Sequence, residues 1–334
     1  MFKYVRLAGI MVIASLVVGL KPAFGEACGN VTIARMNWAS AEIIAEIDRY
    51  ILSAGYGCDA QLVNGDTLST FDSMTKDGKP DIVPELWVNS VGEPLDAAVS
   101  NGSLVMAAEV LTDGGEEGWW IPRYIADEHP EIKTAADALA RPDLFPYLDD
   151  EAQGALHNCP AGWGCQISTA NLFRAFAAED KGFTLVDTGT AAGLDASIAK
   201  AYESGQGWLG YYWAPTPLLG RYDMVRLAES GIHDALHWDS CTVVLDCEEP
   251  NINAWPVSQV FSVVTGDFAQ RMNGPLEYVR HRRWGNQTVN KLLAWMSGNQ
   301  ATGEEVALHF LQEYEDVWTG WLPAELIPKV KAAL

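Results

Sequence analysis

Basic side chains are scarce in this sequence: 22 Lys and Arg stand against 44 Asp and Glu in 334 residues, a formal net charge of −22. Nucleic acids and anionic membrane surfaces both recruit basic faces, so neither is an expected partner. Motif-borne catalysis is missing too. The sequence contains no G-x-S-x-G, no H-E-x-x-H and no P-loop, which removes the usual signatures of serine hydrolases, zinc proteases and nucleotide enzymes. No segment repeats and none is of low complexity. Beyond the first two dozen residues no apolar run is long enough to span a bilayer.

What is present starts at the N-terminus. Lys3 and Arg6 precede an apolar run from Leu7 to Leu20, and Ala23-Phe24-Gly25 offers the small residues that a signal peptidase reads. Residues 1–25 therefore read as an export signal, with Glu26 as the mature start. Cys28 is not expected to carry lipid, because Gly25-Glu26-Ala27 places an acid where a lipobox needs a small residue. The expectation is an exported, periplasmic protein, kept soluble and monomeric by its acidity. Its six cysteines fall into three pairs close in sequence, Cys28 with Cys58, Cys159 with Cys165, and Cys241 with Cys247. An even count in an exported chain reads as disulfides. The rival is a zinc site on the two C-x5-C segments, but structural zinc prefers closer spacing and no histidine pair stands at ligand spacing. No metal and no cofactor is expected.

Short apolar strands alternate with amphipathic helices. Strands are predicted at 31–34, 59–63 and 81–87, with helices at 39–53 and 67–76 between them; the first helix places Ile43, Ile44, Ile47 and Ile51 on one face. A second block follows, with strands at 117–122, 183–186 and 208–212 and helices at 134–139, 165–178 and 191–202. Residues 233–253 read as a polar loop, 257–265 as a strand, and 288–296, 303–314 and 323–332 as helices. This is the pattern of an α/β protein with mixed, mostly parallel sheets. Its length favours two lobes over a single core, with lobe A at 26–113 plus 265–334 and lobe B at 114–264. The chain is expected to cross near 111–118 and again near 260–266.

Three tryptophans sit in rigid loop chemistry instead of apolar stripes: Trp87 in Pro84-Glu85-Leu86-Trp87, Trp163 between Gly162 and Gly164, and Trp213 before Ala214-Pro215. Trp87 and Trp213 close predicted strands, where ligands of α/β sheets bind. Indole faces attract cations, and quaternary ammonium groups, which donate no hydrogen bonds, are the usual case. Gly164 and Cys165 open a predicted helix, so their amides are first-turn donors suited to an anion. A cation site beside an anion site suits a small zwitterion. The competing reading makes Trp163 a packed core indole and Trp87 and Trp213 lobe-interface packing. Asn37 and Trp38 follow the first strand and form a second tier, with a helix cap and a packed ring as the plainer reading. Trp119 and Trp120 alternate on a strand, so one is expected to face the cleft and one the core. Trp255 is placed near the hinge, Trp284, Trp295, Trp318 and Trp321 in packing, and Glu85 at the surface.

The chain resembles the substrate-binding proteins of glycine betaine/proline betaine ABC importers. The likeness is carried by Asn158-Cys159-Pro160-Ala161-Gly162-Trp163-Gly164-Cys165, by Tyr211-Tyr212-Trp213-Ala214-Pro215 and by Trp87. It implies two α/β lobes closing on the ligand, a trimethylammonium box of Trp87, Trp163 and Trp213, and a carboxylate on the Gly164 and Cys165 amides. The partners it implies are an inner-membrane permease and its ATPase. Cys28, Cys58 and the Cys241–Cys247 loop depart from the family pattern and leave the ligand open among glycine betaine, proline betaine, choline, carnitine, trimethylamine N-oxide and dimethylsulfoniopropionate. The rival from another class is a secreted glycosidase, whose indoles stack on sugars and whose paired carboxylates cleave them; acids are so abundant here that their presence does not argue for it. A receptor for primary amines would need acids, not indoles, in the cleft.

Overall fold

A computed structural model describes residues 28–147, 150–228 and 230–334; the export signal read at residues 1–25 lies outside them. The helix Ala39–Ala54 buries Ile43, Ile44, Ile47 and Ile51, none more than 1% exposed. That isoleucine face packs on β1 (Asn30–Met36), β2 (Asp59–Gly65) and β3 (Ile82–Trp87). Every residue of β3 is buried, as expected of a central strand covered on both faces. The remaining strands are β4 (Leu104–Glu109), β5 (Glu116–Pro122), β6 (Pro146–Tyr147), β7 (Asp150–His157), β8 (Phe183–Val186), β9 (Gly210–Ala214), β10 (Met224–Arg226) and β11 (Val260–Thr265).

The strands form two sheets. One has the order β2-β1-β3-β11-β4; the other has β10-β5-β9-β7-β6, with β8 added on β7. The two-lobed α/β architecture is the one expected, but the sheets are not mostly parallel. β1 is parallel to β2 and β3, and β7 to β8 and β9, whereas β11 runs antiparallel to β3 and β4, and β5 to β9 and β10. Apart from the short β6, antiparallel to β7, the antiparallel ladders are carried by β4, β5 and β11, the strands beside the crossings between sheets. Strand–helix alternation does not reveal that direction change.

The outward crossing follows β4 and the return crossing precedes β11. They lie side by side: the Gly115 amide donates to the Ser258 carbonyl at 2.7 Å, and the Ser258 amide returns the bond at 3.3 Å. The sequence reading put the return crossing at 260–266, yet Val260–Thr265 is already β11 inside the first sheet. Unanticipated elements are the helix Gly92–Ser100 and the strands β4 and β7. The helix foreseen at 134–139 is the single turn Ala135–Ala138, and residues 233–253 contain a helical turn from Ala235 to Thr242. All three disulfides join the pairs near in sequence.

Charge is buried in the first lobe. Asp48 and Arg282 are fully buried and meet at 2.7 Å, and the Tyr278 hydroxyl donates to Asp48 at 2.6 Å. Burial pushes the Asp48 carboxyl up to about 6, against the pull of Arg282. Arg282 also donates to the Ser262 hydroxyl at 3.0 Å, and Ser262 donates to the Pro84 carbonyl of β3 at 2.7 Å. The pair thus ties the isoleucine helix to the middle of the sheet. Removing one partner of a buried pair leaves an uncompensated charge, so Arg282→Met is expected to lower the unfolding free energy by about 3–5 kcal/mol. Urea denaturation of wild type and variant measures this; a loss below about 1 kcal/mol, the range of an exposed pair, contradicts it.

Candidate functional site

The loop Cys159–Cys165 is closed by its disulfide and delivers Trp163 as the N-cap of the helix Gly164–Ala175. First-turn amides have no acceptor within their own helix, so those of Gly164 and Cys165 are directed at whatever occupies the space before them. Trp163 is 5% exposed. Its indole N–H donates to Asn37 Oδ1 at 2.6 Å, across from the second lobe to the first. Gly164 lies against Ser90 of the first lobe so closely that a Cβ there would fall 2.3 Å from the Ser90 Cβ.

The first lobe contributes Trp38, the N-cap of Ala39–Ala54, and Trp87 at the end of β3. One carboxylate oxygen fixes both. Glu85 Oε1 accepts from Trp38 Nε1 at 2.7 Å, from Trp87 Nε1 at 3.0 Å and from the Ser40 hydroxyl at 2.9 Å. Glu85 is 0% exposed, which corrects the surface position expected of it. Residues 84 and 86 flank it in a strand covered on both faces, so either side of the strand is interior. Desolvation raises its carboxyl above the usual range, while the three donors and the charge of Arg282 oppose that rise. Trp87 needs Gly115 beneath it, since a Cβ at that position would reach 2.2 Å from the ring.

The second lobe closes the space with Trp213 and Tyr211 of β9 and Glu117 of β5. Trp163 meets Trp38 edge-on at 5.1 Å and Trp213 edge-on at 4.9 Å between ring centroids. Glu117 is buried; the Tyr211 hydroxyl donates to its Oε1 at 2.8 Å and the Ser258 hydroxyl to its Oε2 at 2.5 Å. Burial raises the Glu117 carboxyl, and burial beside that carboxylate holds the Tyr211 phenol well above its ordinary value. Together with Thr67, these residues line one narrow cavity, which in this closed form leaves about 20 Å³, room for roughly one water molecule.

All five residues singled out as a box and its amides, Trp87, Trp163, Trp213, Gly164 and Cys165, line this one cavity. Trp38 joins them, and Asn37 reaches it through the Trp163 indole. Trp119 and Trp120 do not line it. Both are buried; Trp120 donates to the Tyr212 carbonyl at 2.9 Å and Trp119 packs on Phe176 at 5.5 Å. Trp255 lies beside the crossings, against Tyr211 at 5.5 Å. Trp284, Trp318 and Trp321 are buried in the first lobe's helical layer, and Trp295 stacks on His309 at 4.1 Å. Sequence reasoning missed Glu117, Tyr211, Thr67 and Ser90. Tyr211 alone carried a signal, its alternation with Trp213 on one strand face.

No curated protein sequence matches the chain. Solved structures do, at low identity. The glycine betaine/L-proline-binding protein ProX of Borrelia burgdorferi is 16% identical with a TM-score of 0.70, covering 90% of this chain and 99% of its own. A choline-binding protein of an ABC transporter, solved with choline, is 18% identical with a TM-score of 0.72 over 92% and 99%. Lactococcal OpuAC, closed on glycine betaine, is 14% identical with a TM-score of 0.66 over 88% and 100%. These likenesses establish the fold. A family profile described as the substrate-binding domain of the ABC-type glycine betaine transport system matches residues 29–313. The match runs from β1 through both sheets and the cavity between them, and the chain accordingly belongs to the substrate-binding domains of ABC-type glycine betaine transport systems.

Proposed function

We propose that this chain is the periplasmic receptor for a methylated zwitterion such as glycine betaine, and that it hands the ligand to a membrane permease driven by a separate ATPase. The observation that carries the reading is the convergence of Trp87, Trp163 and Trp213 with Trp38 on one small cavity that also receives the Gly164 and Cys165 amides. In this reading the trimethylammonium lies among the indole faces and the carboxylate takes the two amides. Residues 1–25 direct export and are removed, and the mature chain acts as a monomer. The lobes, 26–113 with the C-terminal part and the segment between the crossings, move about the paired strands at Gly115 and Ser258.

Magnitudes support several rings over one. A single cation–π contact contributes about 0.5–2 kcal/mol and a charged hydrogen bond about 1.5–3 kcal/mol, whereas micromolar affinity requires about 8.2 kcal/mol. Three or four rings and two amides reach that range. Selectivity follows from what each ligand loses: a primary ammonium leaves its hydrogen bonds to water behind among indoles, and a methylated one has none to lose. A second reading, choline, is favoured by Glu117, since a buried carboxylate in the lining suits a cation that carries no carboxylate of its own. The structures solved with glycine betaine and with choline are both of methylated onium compounds.

Isothermal titration of the mature, oxidised protein with glycine betaine, choline and a short glucan separates these readings. Glycine betaine is expected to bind at micromolar concentration with the glucan silent; choline alone would remove the amide site, and the glucan alone would remove the receptor reading. Trp163→Ala is expected to weaken glycine betaine binding at least about tenfold with little loss of fold, and unchanged affinity would contradict the box. Gly164→Ala puts a Cβ 2.3 Å from that of Ser90. It is expected to hinder closure, so that affinity for glycine betaine and choline falls together by about tenfold or more while stability is retained; normal binding by this variant rejects the closed arrangement as the bound form.

A further inference from the structure

We infer that Glu85, behind the lining that holds Glu117, is a charge by which this cavity selects a cation, acting through the rings of Trp38 and Trp87; the inference rests on the proposed function. Glu85 does not line the cavity. Its Oε1 takes the edges of two indoles whose bodies do, at 2.7 and 3.0 Å, and the Ser40 hydroxyl at 2.9 Å. An indole N–H can only donate, so the shared oxygen must present lone pairs to both rings at once. Three donors converging on one oxygen match a full negative charge, and hydrogen bonds to an ionised acceptor are the strong ones. The other oxygen, Oε2, is buried with no hydrogen-bond partner among the described residues. Protonated, that oxygen lacks an acceptor as it lacks a donor when ionised, so the three donors on Oε1 carry the assignment.

Two consequences follow. The first is geometric: one acceptor sets the angle of both rings, so Trp38 and Trp87 are oriented as a unit before any ligand arrives. The second is electrostatic. An indole that donates its N–H to an anion gains electron density on its faces, the surfaces a cation meets. The buried charge also acts directly across a space with little water to screen it. Arg282 acts on Glu85 as well as on Asp48, which it meets at 2.7 Å, and one cation between two carboxylates leaves one excess negative charge behind the box. The same anion acts on the carboxylate of either guest, but it attracts only a quaternary centre that is nitrogen, not one that is carbon. Shape and charge are therefore separable by ligand.

The test compares glycine betaine with 3,3-dimethylbutanoate, the same skeleton with carbon in place of the cationic nitrogen, by direct and competition titration. Glu85→Gln keeps an acceptor oxygen for the two indoles and removes the charge. Its affinity for glycine betaine is expected to fall at least about tenfold, while that for 3,3-dimethylbutanoate, an anion without the cationic centre, stays the same or rises. Equal losses for both ligands would reduce Glu85 to a geometric support and overturn the electrostatic inference, as would no loss for either. Wild-type protein that binds neither glycine betaine nor choline would sink the receptor reading instead, a result distinct from an unchanged ratio in the variant. If Glu85→Gln does not fold by its melting transition, Trp38→Phe carries the test. It keeps an aromatic face and deletes one N–H link to the carboxylate. The preference for glycine betaine over the isostere should then drop about threefold, and an unchanged preference rejects the inference.

Discussion

A buried indole has one donor at its edge and two faces that accept nothing but contact. Satisfying the edge therefore decides where the faces point. In this protein the edges of Trp38 and Trp87 are taken by Glu85, and that of Trp163 by Asn37. The faces are left for the space between the lobes. An apolar core that packed these rings at random would leave N–H groups unpaired, at about 1–3 kcal/mol each, or would turn the faces inward onto aliphatic neighbours. The cavity is the result of polar satisfaction at the rim as much as of apolar burial.

The cavity is also a joint product. Trp38, Trp87, Ser90 and Thr67 come from the first sheet and its helices, and Trp163, Tyr211, Trp213 and Glu117 from the second. Neither half presents the full set of rings. The Leu68 amide adds a backbone tie by donating to the Gly162 carbonyl at 3.1 Å, beside the ring contacts between Trp38 and Trp163. These contacts form only when the lobes meet, which makes the ordered state of the site and the closed state of the molecule the same event.

Much of the site was legible because its rings are punctuated by residues with backbone meaning. Proline, glycine and paired cysteines beside Trp87, Trp163 and Trp213 announce immobile loops, and a helix start after Trp163 announces donors. The first helix was legible from periodicity: the isoleucine face of Ala39–Ala54 is a 3.6-residue stripe. Strand direction was not, because pairing partners such as β11 with β3 and β4 are far apart in the chain and no local signal encodes them. Glu85 and Glu117 were hidden for another reason. Among 44 acids, a buried one looks like any other until the donors around it are known, and those donors, Trp38, Tyr211 and Ser258, lie in distant segments.

The reciprocal bonds between Gly115 and Ser258 have a mechanical meaning. A single connecting strand lets two bodies swivel, tilt and slide. Two strands laced together as a short antiparallel ribbon resist shear and in-plane bending, and yield mainly by flexing across their thin dimension. Under the proposed movement of the lobes, opening would be confined close to one rotation, so the walls of the cavity would separate and return along the same arc. The rings recover their mutual register on every cycle without having to search for it.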